Sequence, residues 1–343
     1  MSLNSGGVSN HYYGLRSYWT ETVKYNVVGK RNTKKGSGKY WILWDVLKFS
    51  TLVLFWHPDA VVLNPSMTYN ALKRDMFFLK IAKFLRKRVI LFIHGFHPEY
   101  CETIDTKVLA SKMDKADGIF VLAESYKSLL IQWGISCPVM ITTTKVDDRL
   151  IEHFDINERN GDVKNILFLS RVEKEKGIYE TIDAFQLLKE KNNKIVLTVV
   201  GQGTELESAK QYVIQKGLKD VVFTGRLQGQ DLVNQYRLAD IYIFPSYSEG
   251  MPTTVLEAMA FGLPIITRKV GGLVDFFEQD KMGFITDSYA PQIFANAVSR
   301  YIQNAPLTKE IAVYNHLYAK EHFLASKVAV ELECNINKLI NHQ

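Results

Sequence analysis

Ile241-Tyr-Ile-Phe244-Pro-Ser246-Tyr-Ser-Glu249-Gly250-Met251-Pro252-Thr253-Thr254-Val255-Leu-Glu257-Ala-Met-Ala-Phe-Gly262 reads as a strand, a turn and a helix in one short run. The four apolar residues 241–244 have strand character, and Gly250 and Pro252 punctuate the turn. Proline is favoured at a first helical position, so the helix is expected to start at Pro252. From 255 to 261 its only polar side chain is Glu257, which predicts a helix buried nearly all round. An isolated carboxylate there is costly unless something hydrogen-bonds it. A ligand with paired hydroxyls, such as a ribose, would do so; so would a nearby lysine. The N–H groups of Thr253, Thr254 and Val255 at the same helix N-terminus make a ready anion site. Glu249, in the turn, is read either as a ligand contact or as a helix cap.

Outward from this run the pattern repeats. Apolar runs at 166–169, 195–200, 221–224, 241–244, 265–267 and 284–285 alternate with helical segments such as 178–189, 205–216 and 232–238. That βαβ rhythm belongs to a doubly wound parallel sheet, whose ligands bind outside the carboxyl ends of the strands. The first half repeats it less cleanly, with strands expected at 23–28, 60–63, 89–94, 118–122 and 139–142. Residues 145–163 are polar and aperiodic, which places the hinge there. The segment 326–340 is helical with no strand after it and is expected to dock on another part of the protein.

The 343 residues exceed one ordinary core, and 47% hydrophobic with 23% charged residues describes a globular chain. Residues 1–160 carry 22 Lys/Arg against 15 Asp/Glu, a balance of +7, whereas 161–343 carry 20 against 21. Such asymmetry fits an acidic partner of the first half, or simply a solvated basic face. The basic stretch 73–88 (Lys73, Arg74, Lys80, Lys83, Arg86, Lys87, Arg88) suits an anionic membrane surface, with Phe77, Phe78, Ile81 and Phe84 expected to face the core. The apolar stretch 40–56 contains Asp45 and Lys48, is short for a span, and reads as a buried or surface-seated helix. Cys101, Cys137 and Cys334 show no metal or Cys-x-x-Cys spacing and indicate a reducing compartment.

The chemistry-bearing residues follow strands. Ser170-Arg171-Val-Glu-Lys-Glu-Lys176-Gly177 places two cations at a strand's carboxyl end. A guanidinium can hold two diphosphate oxygens at once, although a charged solvated loop is the alternative reading. Gly201-Gln-Gly203 and Gly225-Arg226-Leu227 follow the next two strands and allow close backbone approach to a ligand. In the first half Gly6 and Gly7 precede a helical stretch, where two glycines can cradle an anion. His94 ends a strand and reads either as a ligand contact or as a hydrogen-bonded structural histidine. The sequence shows no Asp-x-Asp and no cluster of metal-ligand spacing, so neither a metal nor another cofactor is expected.

Together these residues resemble family 4 of the retaining glycosyltransferases, the group 1 glycosyltransferases. That family has the α/β GT-B fold, two Rossmann-like doubly wound domains facing a central cleft. The carriers are Gly6-Gly7-Val8, His94, Arg171 with Lys176, Gly225-Arg226-Leu227, and two glutamates with seven residues between them. The resemblance implies an acceptor-side domain at 1–150, a nucleotide-sugar domain at 151–310, and helices at 311–343 whose last member crosses back to the first domain. It implies a catalytic set of His94, Arg171, Lys176 and Glu249. Arg171 and Lys176 would bind the donor diphosphate and Glu249 the transferred sugar. Glu257 would bind the ribose and the loop at Gly225, Arg226 and Leu227 the base. Gly6, Gly7 and Gly201, with Gly250, Met251, Pro252, Thr253, Thr254 and Val255, would complete the donor site, while His94 would contact the sugar from the opposite domain.

The implied reaction is metal-independent transfer of a sugar from a nucleotide diphosphate to an acceptor hydroxyl, with retention. Surface polysaccharide or glycolipid assembly is the implied setting, in the cytoplasm or at the inner face of the membrane. The implied partners are a glycan or lipid-linked acceptor and an anionic membrane, not nucleic acid. A GT-B nucleotide-sugar epimerase and a non-catalytic sugar-nucleotide-binding protein are the alternatives. Two features depart from the family pattern. Arg268-Lys269 stand where smaller or less basic residues are usual. The family also has a central strand before the glycine pair, where only Met1–Ser5 precede it here, so the first domain is expected to lack that strand.

Overall fold

The structure, a computed structural model, describes residues 6–28, 38–65, 69–95, 103–192 and 194–341. It divides into two compact units, one of residues 1–143 with 328–343 and one of residues 144–327. The division therefore falls at Thr143/Thr144 and not at 150, and residues 311–327 stay with the second unit.

The first unit carries a four-stranded parallel sheet of β1 (Ala60–Leu63), β2 (Arg88–Ile93), β3 (Gly118–Val121) and β4 (Val139–Ile141), in that order across the sheet. β2 from Val89 to Ile93 is wholly buried, as an unbroken apolar run should be when helices cover both faces. The helices are α1 (Gly6–Leu15), α2 (Gly38–Trp56), α3 (Tyr69–Phe84), α4 (Thr106–Met113) and α5 (Glu124–Gln132). Residues 23–28, expected as a strand, are irregular, and Val23 and Val27 lie exposed where a strand of this sheet would bury them. No strand precedes Ala60 among the described residues, and Met1–Ser5, the residues expected to be too few for a strand before the glycine pair, lie outside them. Gly6 and Gly7 do not precede α1 but form its first two positions.

α3 also departs from expectation. It packs on β1 and β2 through the stripe Leu72, Met76, Leu79 and Ala82, and Phe78 is buried as expected. That stripe turns Phe77 and Phe84 outward into solvent. A Schellman motif ends the helix: Arg86 takes the left-handed conformation (φ 58°), and the Lys87 N–H donates to the Ala82 carbonyl at 2.9 Å.

The second unit contains β5 (Asn165–Leu169), β6 (Val196–Val200), β7 (Val221–Gly225), β8 (Ile241–Phe244), β9 (Ile265–Arg268) and β10 (Gly283–Thr286). All pair in parallel in the order β7-β6-β5-β8-β9-β10, the dinucleotide-fold order in which the connections reverse direction between β5 and β8. Its helices are α6 (Ile178–Lys189), α7 (Leu206–Gln215), α8 (Gly229–Leu238), α9 (Thr253–Ala260), α10 (Leu273–Phe276), α11 (Pro291–Ile302) and α12 (Ala305–His322). The polar stretch 145–163 is no free hinge. It packs into this unit, and buried Arg159 donates to the carbonyls of Tyr236, Arg237, Ala239 and Phe261. The last helix, α13 (Ala325–Asn341), groups with the first unit from Val328 onward. There the Glu333 carboxylate accepts from the Thr20 hydroxyl at 2.6 Å and from the Thr20 and Glu21 N–H groups.

Candidate functional site

The reversal between β5 and β8 leaves the loops that follow these two strands side by side, at the place where such sheets bind ligands. The loop after β5 runs from Ser170 to Gly177 and carries Arg171 and Lys176; the loop after β8 carries Ser246, Glu249 and Pro252. They interlock. Gly177 adopts φ 79°, and a Cβ on it would lie 2.4 Å from the Pro245 carbonyl oxygen, so only glycine admits this approach. The Tyr247 N–H donates to the Glu175 carbonyl at 2.8 Å.

This approach places Lys176 Nζ 2.6 Å from Glu249 Oε1, with the two side chains only 12% and 16% exposed. Ser246 Oγ lies 2.8 Å from the same carboxylate oxygen. Glu249 therefore caps no helix, and α9 begins without a side-chain cap. Pro252 occupies the cap position itself, one place earlier than expected, and its carbonyl accepts the Val255 N–H at 3.0 Å. Thr253 and Thr254 then supply the first two amides of the helix, while the Val255 amide is engaged by the Pro252 carbonyl. Arg171 is 66% exposed and ion-paired with Glu173 at 2.7 Å, a contact that contributes little in water.

Glu257 is 8% exposed, in a helix whose residues from Val255 to Ala260 are all buried, as its composition required. Tyr236, from α8, donates its hydroxyl to Oε2 at 2.7 Å. Oε1 accepts no hydrogen bond from a described residue. Burial raises the pKa of this carboxyl, opposed by the positive charge of buried Lys145 and by the Tyr236 hydrogen bond. Lys145, assigned by sequence to a polar linker, acts on Glu257 through its charge, while the hydrogen bond comes from Tyr236. Tyr242, fully buried on β8, ties the site to the sheet. Its hydroxyl donates to the Leu169 carbonyl at 2.8 Å and shares a hydrogen bond with Thr254 Oγ1 at 2.7 Å.

Gly201 follows β6, and its N–H donates to the Gly225 carbonyl, while the Val172 N–H donates to the Gln202 carbonyl. The loops after β5, β6 and β7 are laced together this way, with Leu227 half-buried and Arg226 exposed at their edge. Gly250 accepts from the Gly272 N–H at 2.8 Å, and Met251 packs against the core. Arg268, left unassigned by sequence, is 7% exposed. It donates to the carbonyls of Ser246, Asp287 and Ser288 and lies 3.4 Å from the Tyr289 ring centroid. It holds in place the residue that contacts Glu249.

In the first unit, His94 follows β2 and stacks on Phe92 at 3.9 Å. Asn64 Oδ1 accepts the Tyr12 hydroxyl at 2.9 Å and lies 3.0 Å from His94 Nε2. An amide oxygen can only accept, so Nε2 carries the proton and Nδ1 presents a lone pair. Burial pushes this imidazole down to about 3, so it is neutral in the folded protein. The unfolded chain takes up its proton near 6.5, and the folded chain does so only near 3. Stability is therefore full above pH 6.5 and falls as pH drops, by about 1.4 kcal/mol per pH unit from this group. Denaturant unfolding at pH 6.5 and pH 5 is expected to show His94→Gln losing about 2 kcal/mol less than the wild type. Equal losses would place His94 in a solvated setting.

Among the described residues there is no group of three or more His, Cys, Asp or Glu that could hold a metal ion.

Residues 151–316, which make up most of the second unit, match the family model of glycosyl transferases group 1. TuaC of Bacillus subtilis is 32% identical over 181 residues, which cover 52% of this chain and 44% of TuaC. The capsular polysaccharide biosynthesis glycosyltransferase CapM of Staphylococcus aureus is 24% identical over 242 residues, 70% of this chain and 60% of CapM. The chain thus spans about half the length of the curated relatives it matches. Among solved structures, HepE of Anabaena in complex with UDP superposes with a TM-score of 0.73 at 19% identity, covering 88% of this chain and 84% of HepE. The fold is that of the GT-B glycosyltransferases.

Proposed function

We propose that the protein is a retaining glycosyltransferase that moves a sugar from a nucleotide diphosphate donor to a hydroxyl of a glycan or lipid-linked acceptor. One observation carries the reading. A cation and a carboxylate from the two loops at the strand-order reversal, Lys176 and Glu249, meet beside the first amides of α9, with Glu257 on that same helix. Lys176, Arg171 and the Thr253 and Thr254 amides hold the diphosphate and stabilise the charge that develops as it leaves. Glu249 meets hydroxyls of the transferred sugar, and Glu257 Oε1 meets the ribose. No side chain acts as nucleophile; the departing phosphate takes the acceptor's proton on the face from which it leaves, which retains configuration. The complex of HepE with UDP makes uridine our first choice of base, and the capsular polysaccharide role of CapM makes surface polysaccharide the first setting to test.

A thermal-shift screen against UDP-, GDP- and ADP-sugars tests the donor, because a ligand that binds only the folded state raises the melting temperature. Sugar transfer seen only when an acceptor is added supports the transferase, whereas sugar conversion without acceptor would mean an epimerase. Charge neutralisation by Lys176, Arg171 and helix amides predicts turnover that survives EDTA. Loss in EDTA, restored by magnesium or manganese, would overturn that assignment.

A further inference from the structure

We propose that the outer faces of α2 and α3 form a docking surface for an anionic phospholipid bilayer. α2 packs against α3, with the Phe49 and Phe78 rings 4.9 Å apart, and buries Asp45, Phe49 and Val53. The opposite face of α2 carries Leu43, Trp44, Leu47, Leu54 and Phe55, all exposed, with Phe55 at 83%. At about 100° per residue these five fall within one arc of roughly 120°. On α3 the exposed residues Lys73, Phe77, Lys80 and Phe84 recur at steps of four, three and four, which stacks cation and aromatic alternately along one stripe. A large apolar side chain standing alone in water is ordinary; a whole helix face of them marks an interaction surface.

The chemistry of the stripe selects the partner. Protein–protein interface cores are depleted in lysine, whereas a bilayer boundary accepts lysine, phenylalanine and tryptophan side by side, rings at headgroup level and ammonium groups reaching toward phosphates. Lys48 shares the exposed face of α2, and Lys80, Arg86 and Lys87 form no ion pair among the described residues, unlike Arg74, Lys83 and Arg88, which pair with Asp75 or Asp117. The excess of +7 in residues 1–160 has the same sign. No helix among the described residues is long and apolar enough to cross a membrane, so α2 would lie in the interface plane. As a statement about substrate, that the acceptor is held at such a membrane, the inference rests on the transferase reading; the docking does not.

Co-sedimentation of the full chain with vesicles at low salt tests it, comparing phosphatidylcholine alone with phosphatidylcholine carrying about one-third phosphatidylglycerol. The anionic vesicles are expected to recover most of the protein, and salt to release it. Phe55→Ser with Phe84→Ser, both at solvent-exposed positions, is expected to weaken recovery at least tenfold with an unchanged melting temperature, and Lys80→Glu to weaken it about fivefold or more. Brominated lipid is expected to quench Trp44. Equal recovery from both vesicles, or wild-type recovery of the variants, would overturn the proposal. A double variant that instead abolishes self-association, with vesicle recovery unchanged, would assign the face to a second copy of this chain. Donor binding is measured on the same preparations, so loss of the docking and loss of the transferase reading are separate results.

Discussion

Glu249→Ala is expected to lower kcat on the order of a hundredfold while donor affinity holds or rises slightly. Glu249 is ion-paired with Lys176. Removing the carboxylate deprives the transferred sugar of a contact, but it also releases the ammonium to the diphosphate. Glu257→Ala and Arg171→Ala are expected to behave in the opposite way. Each removes a contact made equally in the ground and transition states, so donor affinity falls, by roughly tenfold to a hundredfold for the buried Glu257 and by about tenfold or less for exposed Arg171. Calorimetric titration with the nucleotide sugar, run beside turnover, separates the two patterns. Donor affinity unchanged in both Glu257→Ala and Arg171→Ala would remove the basis for the proposed site.

The second large effect is on stability. Gly201→Ala is expected to cost roughly 2–4 kcal/mol, because its φ of 147° is closed to other residues and a Cβ would lie 1.8 Å from the Ser170 carbonyl oxygen. The oxygen belongs to the main chain at the end of β5 and cannot step aside. Gly225→Ala makes the control. Its φ of 71° is also left-handed, but a Cβ there meets nothing within 4 Å, so only the conformational penalty of about 1 kcal/mol applies. Thermal unfolding is expected to show a drop of roughly 5–15 °C for the first and about 2–4 °C for the second. Equal drops would mean that the loops after β5 and β6 are not in contact.

Much of the second unit was legible because its signals are local. Short apolar runs of two to six residues marked all six strands, and the lone carboxylate in an apolar helix marked Glu257. What escaped was contributed by distant partners. Tyr236 and Lys145 reach Glu257 from other segments, Tyr242 reads as a core aromatic, and Arg268 makes its contacts through backbone carbonyls, which no side-chain pattern encodes. The first unit was harder. Residues 23–28 have strand composition, but composition supplies no pairing edge, and the alternation of lysine and phenylalanine on α3 does not state which stripe meets the sheet. Gly201, read as room for a ligand, is crowded instead by the neighbouring loop.

The contact between Lys176 and Glu249 bears on selectivity between whole and partial ligands. The two charges cancel each other, and neither is left unpaired. On the proposed reading, a free nucleoside diphosphate draws off the ammonium and strands the carboxylate, and a free sugar engages the carboxylate without releasing the ammonium to any anion. Only a molecule that carries phosphate and sugar together re-partners both sides at once. The intact donor is then favoured beyond the sum of its fragments, and the spent nucleotide, having lost its sugar, is dislodged as the pair closes again.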